Sequence, residues 1–95
     1  NLTNAAELYN LDVATEILDA TGHLFAMHLK ETVPGRYRDM RFGEGRVDFV
    51  SGIRAALRAG VRCFVAEYWH QDGSDFMEQI REINRFLRER FAMAE

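Results

Sequence analysis

The chain has 95 residues, of which 47% are hydrophobic and 28% are charged, and its formal net charge is −3. This composition is typical of one small globular domain, excludes a fibrous or disordered chain, and gives no global basic field for nucleic acid. Its apolar runs fall short of the roughly 20 residues that span a membrane, and no secretory signal is recognisable. The single cysteine, Cys63, excludes an intrachain disulfide and a cysteine metal cluster, so we expect a cytoplasmic protein.

Three segments carry apolar residues at helical spacing, each after a residue that can cap a helix. After a loop over residues 1–11, we predict helices with these starts and stops: Asp12 to Gly22, Asp48 to Gly60, and Asp72 or Ser74 onward.

Two short apolar runs, residues 24–29 and 63–69, predict buried strands between these helices. Strands this apolar are typically covered on both faces, which favours parallel strands in an α/β fold. Cys63, at the start of the second run, is expected to be a small buried hydrophobe.

Each predicted strand ends in a polar residue, His28 in the first and Glu67 in the second. Ligands and catalytic residues gather at the carboxyl ends of parallel strands, so an imidazole and a carboxylate converge there if the strands are neighbours. Such a pair suits a borderline divalent cation such as zinc, manganese or cobalt, although two ligands do not complete a metal site. A hydrogen-bonded rim histidine and a salt-bridged glutamate are the alternative, and the sequence leaves both open.

The loop over residues 30–47 is long for a compact domain and carries five basic against three acidic side chains. Long ordered loops are usually functional, and a positive excess beside a strand-end site suits a phosphorylated substrate. The alternative is a solvated loop whose arginines pair with nearby acids. Its FGEG stretch lacks the glycine–lysine pattern of a phosphate-binding loop.

Two stretches resemble a known family: HLFAMHLKETVPGRYRDMRFGEGRVDFV and, further along, CFVAEYW. Their histidine, lysine, acid, threonine, proline and glycine, followed by FGEG-x-VDF, resemble the C-terminal part of the L-ribulose-5-phosphate 3-epimerases. These enzymes of carbohydrate metabolism are also called L-xylulose-5-phosphate 3-epimerases or hexulose-6-phosphate isomerases. The resemblance implies that residues 1–95 are a single C-terminal fragment of a xylose-isomerase-like TIM barrel, with its seventh and eighth strands.

The resemblance also implies a divalent metal held by two glutamates, an aspartate and a histidine. His28 matches the histidine and Glu67 the last glutamate, and the other two ligands are expected before Asn1. In such a family the metal binds the ketose carbonyl and a hydroxyl, while two carboxylates remove and return the carbon-bound proton. Glu67 is then both a ligand and an acid/base, His28 is a ligand only, and Lys30 and Arg36 contact the phosphate or the rest of the substrate.

The resemblance therefore predicts an isomerase, in the intact parent, that epimerises L-ribulose 5-phosphate and L-xylulose 5-phosphate at carbon 3. A hexulose-6-phosphate or other keto-sugar isomerase is one alternative. Another is a non-catalytic fragment that self-associates, because two strands leave both sheet edges open. We expect the isolated fragment to be inactive. We also expect a homo-oligomer or association with the missing barrel part, and neither nucleic-acid nor membrane partners.

Overall fold

The fold is seen in a computed structural model that describes residue 9, residues 11–36 and residues 40–95. Its elements in chain order are helix α1 (Val13–Asp19), strand β1 (Ala26–Leu29), helix α2 (Phe49–Arg58), strand β2 (Cys63–Ala66) and helix α3 (Phe76–Ala94). The predicted alternation of helices and strands is confirmed. The loop predicted over residues 1–11 lies almost wholly outside the described residues, as do positions 37–39 of the long loop. Among the described helices, none has the length and apolar character needed to cross a membrane.

An aspartate caps the N-terminus of each of the helices α1, α2 and α3 by accepting a hydrogen bond from a backbone N–H of the first turn. The backbone N–H of Thr15 donates to Asp12 at 2.9 Å, that of Ser51 to Asp48 at 3.0 Å, and that of Glu78 to Asp75 at 3.0 Å. The first two caps were predicted from the sequence. The third helix begins slightly later than predicted because Asp75, rather than Asp72 or Ser74, accepts from its first turn.

The two strands form a parallel pair, as predicted. Ala26 pairs with Cys63 and Leu29 with Ala66, so four residues of each strand are in register. Both strands are shorter than the apolar runs that predicted them. One further bond, from the Glu67 N–H to the Leu29 carbonyl at 2.8 Å, extends the ladder to the carboxyl ends.

The core lies on one face of this sheet. Met27 and Phe64, which alternate with the outward residues of their strands, pack against two buried clusters. One cluster joins the sheet to α2 and α3 and contains Leu29, Phe49, Ile53, Ile83, Leu87 and Ala94. The other joins α1 to α2 and contains Ile17, Ala55, Ala56, Ala59 and Val61.

The opposite face of the sheet is open, which corrects two expectations. Helices within the described residues cover one face only, so the prediction that both faces are covered is wrong for this part of the chain. Cys63 is exposed rather than buried, and Val65 on the same face is 42% exposed. The physical reason is that α1, α2 and α3 pack side by side on the face that carries Met27 and Phe64. This one-sided α/β arrangement is consistent with part of a barrel.

Replacing Asp48 by Ala is expected to lower the free energy of unfolding by about 1 kcal/mol, because the first turn of α2 loses its acceptor. Hydrogen bonds from the Ser51 backbone N–H and then its hydroxyl hold the pKa of Asp48 below its ordinary value. Such a group stabilises the fold above the pKa of the unfolded chain, and this contribution is lost as pH falls through the folded pKa. In urea unfolding, the difference between wild type and variant should therefore shrink at acid pH.

Asp48→Asn is the matched control, since an amide oxygen can still cap the helix. It should keep most of the stability at neutral pH. An equal loss in the Ala and Asn variants would contradict a capping role for the side-chain oxygen.

Candidate functional site

Three polar side chains meet at the carboxyl ends of the two strands. His28 lies on the open face of β1, and Lys30 follows on the same face two residues later. His28 Nδ1 lies 3.0 Å from Glu67 Oε2, and Lys30 Nζ donates to Glu67 Oε1 at 3.0 Å. The structure therefore brings together three of the four residues that the sequence nominated for the site.

Glu67 is held as an anion in this arrangement. A hydrogen bond from His28, followed by one from Lys30, lowers the pKa of the Glu67 carboxyl below its usual value. The Glu67 side chain is 36% exposed, so water partly screens both contacts and their contribution to stability is small. That contribution is present above the unfolded pKa and is lost as pH falls through the lowered one. At neutral pH Glu67 is thus an ionised carboxylate that can accept a proton.

A cavity of about 590 Å³ opens beside these residues. Its walls come from the ends of both strands, from the first turns of α1 and α2, and from Arg46. His28, Lys30 and Glu67 all line it. This volume lies within the range of small-molecule sites in proteins.

Arg36 lies away from this cavity. Val33 and Arg36 exchange two backbone hydrogen bonds of 3.0 Å across a tight turn, and the Arg36 side chain is exposed. It does not appear among the lining residues in the described part of the chain, whereas Arg46 does. Arg46 belongs to the basic loop recognised in the sequence, but it was not predicted to contact the substrate. A substrate contact for Arg36 stays a prediction.

Glu31, which was not predicted from the sequence as a site residue, is buried and only 3% exposed. Its Oε1 accepts from the N–H groups of Thr32 and Val47, each at 3.2 Å, and its Oε2 accepts from the Gly43 N–H at 2.8 Å. The long loop is therefore closed around a buried carboxylate. Strand alternation could have indicated this position, because it directs the Glu31 side chain away from the face that holds His28 and Lys30.

The FGEG stretch forms the wall of this carboxylate site. A Cβ atom at Gly45 would overlap Glu31 Oε1 and lie 2.6 Å from the Thr32 carbonyl oxygen. Gly43 adopts φ +96°, a conformation that favours glycine. Phe42, the first residue of the stretch, stacks on Phe49 with ring centroids 5.3 Å apart. The glycines thus serve a close approach of backbone to Glu31, and the aromatic ring fixes the stretch to α2.

Gly45→Ala is expected to lower the free energy of unfolding by about 1–3 kcal/mol, because the added methyl group overlaps both Glu31 and the backbone. Gly52→Ala in α2 is the matched control. Its nearest contact would be Ile17 Cδ1 at 4.0 Å, and alanine in a helix should raise stability by about 0.5–1 kcal/mol. Urea unfolding of both variants measures the difference, and equal effects would contradict the close approach at Gly45.

The donor types at this site fit part of a metal centre. His28 offers an imidazole nitrogen and Glu67 a carboxylate oxygen, which borderline divalent ions accept. Lys30 already bonds the other oxygen of Glu67. Within the described ranges, no group of three or more His, Cys, Asp or Glu side chains is placed to hold a metal ion. The described residues thus bring together two side chains of ligand type, His28 and Glu67.

Comparison with known proteins finds relatives that match most of this chain. The chain is similar to L-ribulose-5-phosphate 3-epimerase. It is 31% identical over 85 residues to the L-ribulose-5-phosphate 3-epimerase UlaE of Escherichia coli strain K12 / DH10B, of Escherichia coli strain SE11 and of Escherichia fergusonii. The alignment covers 87% of this chain, and the chain spans about 30% of the length of these curated relatives. No protein-family model matches the chain. The resemblance predicted from the sequence is confirmed, and its partial coverage is consistent with the C-terminal part of such a protein.

Proposed function

We propose that this chain supplies part of the active site of a sugar-phosphate epimerase that interconverts L-ribulose 5-phosphate and L-xylulose 5-phosphate. The observation that carries the proposal is the contact of His28, Lys30 and Glu67 on the open sheet face, at the carboxyl ends of parallel strands. Active sites of parallel barrels lie at that edge. The likeness to L-ribulose-5-phosphate 3-epimerases supports the substrate class.

The parent fold in this proposal is a TIM barrel. Its helices cover the outside, and the open face of β1 and β2 turns toward the barrel interior. The arrangement of α1, α2 and α3 on a single face supports this assignment, since a doubly wound sheet has helices on both faces. The remaining strands would come from the rest of a longer parent protein, or from association with it.

His28 and Glu67 would hold a zinc, manganese or cobalt ion together with two carboxylates from outside these residues. The bound ion would supply Lewis-acid polarisation of the ketose carbonyl. Glu67 takes the proton from carbon 3, and the electron pair of the broken C–H bond enters an enediolate. A second carboxyl group, protonated at the start and placed on the opposite face of the substrate, delivers its proton to the same carbon. The enediolate electron pair forms the new C–H bond, which inverts the centre and leaves this second group as a carboxylate.

Lys30 acts on Glu67 in this scheme, which differs from the phosphate contact predicted from the sequence. Its ammonium keeps one carboxylate oxygen occupied and fixes the direction of the other. Phosphate recognition falls more naturally to Arg46, because a guanidinium at the cavity wall can bind phosphate in a bidentate manner.

The test is a chimera in which this chain replaces the aligned part of the Escherichia coli relative, assayed for 3-epimerisation of L-ribulose 5-phosphate. The chimera is expected to be active. Glu67→Gln should lower its kcat by about 10²- to 10⁴-fold, the usual contribution of a general base. Glu89→Gln is the matched control, since this glutamate lies exposed on α3 beside Arg90, and it should leave kcat unchanged.

Substrate trials separate the alternatives within the same fold. Preference for a hexulose 6-phosphate or an unphosphorylated keto sugar would replace the pentulose assignment and keep the site. Full activity of the Glu67→Gln chimera would contradict the proposed role of the carboxylate.

A second candidate is a non-catalytic fragment that self-associates. The open sheet face favours it, since Val65 on that face is 42% exposed, and Phe25, directly before β1, is 85% exposed. Exposed strands of this kind readily pair with another chain. A folded chimera with no activity on any of these sugars, together with a chain that forms homo-oligomers, would favour this second function.

A further inference from the structure

We propose that Glu31 is a positioning residue for this site, because its buried carboxylate holds Lys30 against Glu67. The catalytic meaning of this contact rests on the proposed function, but the contact itself does not. Nothing in the epimerase mechanism above uses Glu31, and the two effects can be measured separately.

Lys30 and Glu31 are neighbours whose side chains leave the backbone on opposite sides. Lys30 reaches Glu67 on the open face, with its own side chain only 19% exposed. Glu31 turns inward and is 3% exposed. The direction of Lys30 is thus tied to the placement of the residue that follows it.

The carboxylate of Glu31 joins the two ends of the long loop. Thr32 donates to it from the strand side, and Gly43 and Val47 donate from positions 12 and 16 residues away. Val47 directly precedes Asp48, the cap of α2. The strand ladder ends with the bond from Glu67 to Leu29, one residue before Lys30. Beyond Leu29 the strand ladder no longer fixes the backbone, and the hydrogen bonds of Glu31 fix it there instead.

Loss of this carboxylate would act on the loop before the rest of the fold. Buried N–H groups left without an acceptor carry a desolvation cost, which drives the loop to open toward water. The helices and the sheet keep their own contacts in the two buried clusters. We expect Lys30 to leave Glu67 in an otherwise folded chain.

The composition of the chain provides a direct probe, because Lys30 is its only lysine. Acetic anhydride labels amines, and peptide mass analysis separates Lys30 from the terminal amine. At fixed pH, Glu67→Gln should raise the Lys30 labelling rate about two- to fivefold, as expected for release of a partly exposed ion pair. Glu31→Gln should raise it by a similar factor, and the Gly43 and Val47 amides should exchange faster with deuterium.

The double variant distinguishes positioning from general loosening. If Glu31 acts through the contact between Lys30 and Glu67, Glu31→Gln adds nothing to the labelling rate once Glu67 is Gln. Glu44→Gln is the matched control. Glu44 is an exposed carboxylate of the same loop whose Oε2 accepts from the Arg41 N–H in its own turn, and its replacement should leave Lys30 labelling unchanged.

Two results would overturn the proposal. One is an unchanged Lys30 labelling rate in folded Glu31→Gln. The other is a double variant whose labelling rate rises by the product of the two single-variant factors. If Glu31→Gln does not fold, wild type in urea below its unfolding midpoint serves instead. There, exchange of the Gly43 and Val47 amides and labelling of Lys30 should rise together, and labelling that rises without amide exchange would overturn the proposal. Neither readout requires metal, substrate or activity, so failure of the epimerase assignment leaves this test intact.

Discussion

The site depends on the register of one parallel strand pair. Side chains alternate along a strand, so a slip of one residue would send Glu67 to the helix-covered face and separate it from His28. The register from Ala26 opposite Cys63 to Leu29 opposite Ala66 is set by Met27 and Phe64, which are partly buried and pack against the clusters under the helices. Packing on one face thus determines which polar groups meet on the other, and the lowered pKa of Glu67 follows from that meeting.

The open face and the buried carboxylate of Glu31 have different roles at the site. The open face presents an imidazole, an ammonium and an ionised carboxylate to a cavity that also reaches the first turns of α1 and α2. On the other side of the strand end, Glu31 binds backbone N–H groups and contributes no chemistry to the cavity. An uncovered sheet face of two parallel strands is consistent with one segment of a larger barrel.

Local rules predicted much of this structure from the sequence. Asp12 and Asp48 were identified as caps because an aspartate directly before an apolar helical pattern is a preferred N-cap residue. The position of His28 and Glu67 at the carboxyl ends of their strands predicted that the two side chains converge if the strands are neighbours, and the parallel pairing meets that condition. The covering of the strands was mispredicted, as Cys63 shows, because an apolar run does not reveal which chain covers it. Glu31 was missed because its partners, Gly43 and Val47, are distant in sequence. They donate through backbone N–H groups, which cannot be recognised from the residue type.

The most direct test of the central claim, that this chain carries part of a divalent-metal site, is native mass with metal analysis on the same sample. It should be made on the chain alone and after assembly with the remaining part of the Escherichia coli relative. The account predicts close to one divalent ion per assembled site, no stoichiometric ion on the 11.0 kDa monomer, and loss of the ion when Glu67 is replaced by Gln. An assembled species without metal, or one that keeps its ion in Glu67→Gln, would contradict it.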